Sequence, residues 1–149
     1  MNDSELTTQE HTTLSYALAR TDRLINQILN EELKKIEITL PQLTMLSVIQ
    51  RKPGVSNAKL AELAFIKPQS TTKVIQELEN REWITKTADP EHGRRILIKL
   101  SELGEEKVRA CRAIVSQVET LMLKGIDKNL ALLIKSQLEI MVNNLKQAK

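Results

Sequence analysis

A chain of 149 residues is long enough for one domain with a sizeable core and short for two. Hydrophobic residues at 41% and charged residues at 28% are ordinary for a soluble globular protein, whereas aromatics at 2% (Tyr16, Phe65 and Trp83) leave a core of Leu, Ile and Val and argue against a site built on clustered rings. The net charge of +3 is unevenly spread: residues 51–100 carry 10 basic and 6 acidic groups, against 4 and 7 in residues 1–50 and 8 and 6 in residues 101–149, so the middle of the chain favours a polyanion, nucleic acid first, over the plain alternative of a solvated helix face.

The first predicted element runs from Leu14 to Leu33, where Leu14, Leu18, Ile25, Ile28, Leu29 and Leu33 recur at helical spacing and Thr12 or Thr13 caps the start. A second helix begins near Pro41, capped by Thr39, with Leu43, Leu46 and Val48 or Ile49 inward, and "KPG" at 52–54 ends it. Ser56 caps a short third helix with Leu60, Leu63 and Ala64 on one face. The chain breaks at "FIK", and Pro68 then opens a helix that buries Val74, Ile75 and Leu78. Its first turns hold Gln69, Ser70, Thr71, Thr72 and Lys73 in succession. Hydroxyl residues are not strong helix formers, so this surface fits something that must be approached closely and hydrogen-bonded.

"WITKTA" and "RILIKL" alternate as strands around the turn "DPEHG", with Ile96, Ile98 and Leu100 facing one way. Ser101 caps a long helix whose first turns carry Glu102, Glu105 and Glu106, where the helix dipole favours acids. Its inner face is expected to hold Val108, Cys111, Val115, Val118 and Met122. "KGIDKN" breaks it, and a last helix carries Leu130, Ile134, Leu138, Met141 and Leu145.

A helix pair joined by a tight turn and followed by a hairpin is a winged helix–turn–helix. The fold class is therefore mainly α with a small β-hairpin wing, flanked by N- and C-terminal helices. In such a fold the helix at 67–80 enters the major groove of double-stranded DNA, where Lys67, Gln69, Ser70, Thr72, Lys73 and Gln76 reach base edges and phosphates, while Thr71 faces inward. The wing, residues 83–100, brings Arg94 and Arg95 to a phosphate backbone or a narrow minor groove. Arg94 is the stronger candidate; Arg95 either binds phosphate or pairs with an acid.

The whole chain resembles the MarR family of bacterial transcription regulators. The resemblance is densest in "LPQLTMLSVI", "LAELAFIKPQSTTKVIQELE" and "DPEHGRRILIKLSELG". The last of these is similar to the family's wing, an Asp-x-Arg followed after five residues by Leu-Thr, here His92-Gly93-Arg94 and Leu100-Ser101. Two positions depart from the pattern. His92 stands where the family's Asp helps to hold the wing arginine, so a different support for Arg94 is expected. Glu82 stands where many relatives have Gly; a left-handed non-Gly residue costs on the order of 1 kcal/mol, so the helix end is expected to be built differently.

The resemblance implies a homodimer, most often a repressor, joined through its first and last two helices. One domain spanning 1–149 is expected, with a DNA-binding lobe at about 36–101 and dimerisation helices at about 10–33 and 102–147. The long stripe of the last helix argues independently for a partner surface. Two-fold symmetry would set two recognition helices roughly 34 Å apart on an inverted repeat. Many relatives release DNA when a small aromatic or anionic effector enters a cleft beside the dimer helices. Tyr16, Arg20 and His11 on the first helix are the candidates to line it, with packing at the dimer interface as the plainer role of each.

The rival reading is a winged-helix protein-interaction module that does not bind DNA. A third is a redox switch at Cys111, the single cysteine, for which a buried, inert thiol is the plainer reading. One Cys and two His make no credible zinc cluster, and no cofactor or metal is expected. No phosphate-binding glycine loop or nucleophile elbow appears, so the chain is not expected to be an enzyme. The lone cysteine fits a reducing cytosol. The opening "MNDSELTTQEHTT" lacks the pattern of a secretion signal, and the longest apolar run, "LALLI", is too short to span a membrane, so a cytoplasmic protein is expected.

Overall fold

The computed structural model of the chain describes residues 13–148. Among them six helices and three short strands follow in the order α1 (Leu14–Lys34), α2 (Leu40–Arg51), β1 (Val55–Ser56), α3 (Asn57–Ala64), α4 (Pro68–Asn80), β2 (Ile84–Ala88), β3 (Ile96–Leu100), α5 (Glu102–Met122) and α6 (Lys128–Gln147).

Capping chemistry places the helix starts. Thr13 accepts a hydrogen bond from the Tyr16 amide, and Ser56 from the Lys59 amide at 3.3 Å. Thr39 forms a reciprocal box with Gln42, each side chain bonded to the other's backbone N–H. Pro68 occupies the first turn of α4, where its missing N–H costs nothing. The Ser101 hydroxyl accepts from the Gly104 amide at 3.0 Å and donates to the Glu82 carbonyl at 2.6 Å.

The hairpin is present in antiparallel register from Ile84 opposite Leu100 to Ala88 opposite Ile96. It is joined by a strand not anticipated from the sequence: β1 pairs with β3, Val55 opposite Ile98, so β3 is central in the order β1-β3-β2. Of the alternating apolar residues of β3, Ile98 is fully buried, Leu100 half-buried and Ile96 exposed. Ile96 shares the face of Ile98 but lies beside the wing tip, where it pairs only with Ala88, whereas Ile98 is paired on both sides.

The described residues form two compact units, one ending at Val115 and one beginning at Ser116. In the first, Leu33, Met45, Leu46, Ile49, Leu60, Leu78, Ile98 and Cys111 are almost completely buried. A fully buried aliphatic side chain is worth about 1.5–3 kcal/mol, so this set alone holds α2, α3 and α4 against the sheet. Gln42 is the buried polar exception beside Thr71; its Nε2 donates to Glu77 Oε2 at 3.0 Å and ties α2 to α4. Gln50 makes a second tie, donating to Glu105 Oε2 at 3.1 Å and accepting from Arg112 at 2.7 Å.

The expected inner face of α5 is correct at Val108, Cys111 and Val118 but not at Val115 and Met122, which are 36% and 41% exposed. On α6 no residue is buried: Leu138 and Met141 are half-covered, while Leu130, Ile134 and Leu145 lie in solvent.

The end of α4 corrects a second expectation. The helix closes with the Glu82 amide bonded to Glu79 O at 2.9 Å and the Trp83 amide to Leu78 O at 3.0 Å. That is the usual left-handed termination, with Glu82 at φ +59° where glycine is the common choice. The pattern is retained because Trp83 and Leu78, brought together by it, are both buried. Glu82→Gly is therefore expected to stabilise the fold by about 0.5–1 kcal/mol, relief of the Cβ clash outweighing the added freedom of the unfolded chain. A raised unfolding midpoint in denaturant would register it.

Candidate nucleic-acid interface

Helix α4 is anchored on one side and open on the other. Thr71, Val74, Ile75 and Leu78 are buried at helical spacing, and the Thr71 hydroxyl donates to Lys67 O at 3.1 Å rather than to solvent. This fixes the opposite face outward: Lys67, Gln69, Ser70, Thr72, Lys73 and Gln76 are all exposed. Two are partly engaged, Thr72 donating to Pro68 O at 3.2 Å and Gln76 to Asn80 Oδ1 at 3.0 Å. Among the described residues, Gln69, Ser70 and Lys73 have no side-chain partner, so their donors and acceptors are open to a ligand. Lys67 sits at the N-cap without supplying a side-chain cap, which leaves the first amides of α4 unpaired.

The Gln42–Glu77 hydrogen bond ties α4 to α2, and it was not anticipated from the sequence. The signal was there in part, since Thr39 followed by Gln42 is a capping-box spacing. Its second bond, to Glu77, needed the fold.

At the wing tip, Asp89 Oδ1 accepts from the Glu91 amide at 2.9 Å, and the backbone closes through Arg95 N to His92 O and Asp89 N to Arg95 O, both 2.8 Å. The loop around Arg94 is closed by backbone bonds, and among the described residues no side chain holds Arg94, so the expected substitute support is not seen. Arg95 likewise has no acidic partner among the described residues. Both guanidinium groups are exposed, and with Ser56, Asn57, Ala58 and Ile96 they line a cleft of about 420 Å³. The start of α3, whose first backbone amides have no intrahelical partner, was likewise missed in the sequence.

Tyr16 and Arg20 lie four residues apart on the same face of α1, both exposed, and His11 falls outside the described residues. Cys111 is fully buried; burial pushes its thiol up, against the opposing pull of Lys107, which disfavours the reactive thiolate. Among the described residues no three His, Cys, Asp or Glu side chains are grouped to hold a metal, and no helix is long and apolar enough to cross a membrane.

Residues 36–95, which span α2 through the wing tip, match the MarR family. Over this segment the chain is similar to the MarR family. Relatives of the MarR type include the HTH-type transcriptional repressor Rv2887 of Mycobacterium tuberculosis, 26% identical over 110 residues, covering 74% of this chain and 79% of that protein. Among solved MarR structures, a mutant MarR from E. coli complexed with operator DNA superposes with a TM-score of 0.76 at 20% identity, covering 89% of this chain and 95% of that one. Rv2887 in complex with salicylic acid superposes with a TM-score of 0.71 at 25% identity, covering 87% and 96%. The match extends the MarR fold beyond the family segment to the terminal helices.

Proposed function

We propose that this chain is a dimeric, sequence-specific, DNA-binding transcription regulator of the MarR family, a repressor, acting in the cytoplasm. The observation that carries this reading is the outward face of α4: small hydroxyls, an amide and two lysines held in place by a buried Thr71 and a Gln42–Glu77 clamp. Side chains of this kind donate to and accept from base edges and neutralise phosphates. Arg94 and Arg95, without acidic partners among the described residues, supply the wing contact, and the start of α3, capped by Ser56 at the Lys59 amide, lies beside them. The relatives named as transcriptional repressors, and a similar fold solved with operator DNA, support the same reading.

A second copy of the chain is the partner that the terminal helices require. Leu130, Ile134 and Leu145 are 50%, 42% and 70% exposed on α6, an apolar stripe that a lone chain would leave wet. A two-fold dimer presents two α4 helices to successive major grooves. Salicylic acid in the Rv2887 structure supports an anionic aromatic effector, with Tyr16, Arg20 and His11 as the candidates to receive it. Such an effector would act by preferring the dimer whose half-site spacing does not match the operator. The relatives' roles support a binding protein over an enzyme.

Fluorescence anisotropy against duplexes tiled from the upstream intergenic region, beside a scrambled duplex and across a salt series, tests this reading. Specific binding is expected on an inverted repeat, with log affinity falling by about 0.9 per decade of salt for each phosphate neutralised. Absence of binding to any duplex at low salt, followed by failure of random-sequence selection, would sink it in favour of a protein-interaction module.

A further inference from the structure

Phe65 is the most exposed of the large apolar side chains among the described residues, at 83%. It is also the C-cap of α3, at φ +53° and ψ +34°, a left-handed backbone that glycine adopts freely and a residue with a Cβ does not. Exposure and backbone strain thus coincide at one residue that adds nothing to the core. A strained, solvent-facing aromatic is an outlier from which function is inferred.

Its position limits the candidates. Phe65 precedes Pro68, the first residue of α4, by three residues, so no more than about 10 Å of chain separates them. The exposed residues that follow are Lys67, Pro68, Gln69 and Ser70, the start of the proposed reading face. The N-terminal end of a recognition helix is the part that meets base edges, so the turn before it lies at the mouth of the major groove. The distinctive apolar group displayed there is the 5-methyl of thymine, which Phe contacts.

We propose that Phe65 docks against a thymine methyl at the edge of each half-site, adding apolar readout to the polar readout of α4. This inference rests on the DNA-binding reading above.

Duplexes selected from random sequence by the full wild-type chain supply the site. Wild type, Phe65→Ala and Phe65→Gly are titrated by anisotropy against that duplex and against copies in which single thymines are replaced by deoxyuridine, which removes only the methyl. One thymine-to-deoxyuridine change per half-site is expected to weaken the wild type about fourfold, the factor for one buried methyl-sized group, and to leave Phe65→Ala unaffected. Phe65→Gly is expected to unfold at a higher temperature while binding more weakly, whereas a purely structural residue would move both in the same direction. Phe65→Ala binding as tightly as wild type, or responding to every deoxyuridine as the wild type does, would overturn the proposal and leave the ring as a surface for a protein partner. Failure of the wild type to select any duplex strikes the DNA-binding reading instead, and is seen before any variant is made.

Discussion

The Arg94→Ala dimer is expected to bind its operator about 30- to 1000-fold more weakly than the wild type. A charge-assisted hydrogen bond to DNA is worth about 1–2 kcal/mol by truncation, and a two-fold dimer loses it twice. Stability should not change, because the Arg94 side chain is exposed and has no partner among the described residues. The salt series separates two ways of losing affinity. A phosphate contact lowers the salt slope by about one per half-site and weakens all sequences alike; a minor-groove contact weakens the operator more than a scrambled duplex. Arg94→Lys should recover only part of the loss, since an ammonium lacks the planar fork of a guanidinium. If Arg94→Ala binds within twofold of wild type, the wing tip is not a contact, and the reading face of α4 must account for the affinity without it.

Gly104→Ala is expected to be the most damaging small substitution in the chain. A Cβ at position 104 would lie 2.0 Å from Trp83 O and 3.0 Å from Trp83 C. Both atoms are backbone, held by the Ser101 amide on that same carbonyl at 3.0 Å and by the Trp83 amide on Leu78 O. The Trp83 ring is pinned as well, with Arg81 at 4.7 Å and Lys107 at 5.7 Å from its centroid. Relieving the clash means moving the first turn of α5 away from the exit of α4, at a cost of about 2–4 kcal/mol. The unfolding midpoint should fall by roughly 5–15 °C, compared at one protein concentration because a dimer's midpoint depends on it. Gly93→Ala at the wing tip is the control: nothing lies within 4 Å of its Cβ, and no change is expected. An unchanged midpoint for Gly104→Ala would mean that α5 can shift on Trp83 at little cost. The substitution should also reduce DNA binding, because the displaced turn supports the end of α4.

The contrast between these residues separates what is local from what is not. Arg94 stands out as a candidate from its place in a short motif of the wing. Gly104 looks, in the sequence, like any residue in the first turn of a helix, where glycine is merely unfavourable. Its necessity comes from the Trp83 carbonyl, a contact that exists only once β2 and β3 have paired and brought α5 back to the exit of α4.

The outward face of α4 was readable for a related reason. Burying Val74, Ile75 and Leu78 fixes the helix rotation at 100° per residue, so the hydroxyl-rich side could only face out. Its packing against the rest of the lobe was not readable, because it joins distant positions, such as Gln42 and Glu77, 35 residues apart.

By itself the sequence determined the helices, the caps at Thr39, Ser56 and Ser101, the hairpin and the polar face of α4. Each of these is set by interactions within a few residues: period, a Thr or Ser hydroxyl reaching an amide three residues on, or a proline fixing φ. The tertiary structure alone decided the rest. The two residues of β1 are a strand only by virtue of pairing with Ile98 and Leu97. Glu82 accepts a left-handed backbone because the burial of Trp83 and Leu78 holds it there. Val115 and Met122 carry the right period yet stay exposed, since periodicity says which residues share a face and only the fold says what that face meets.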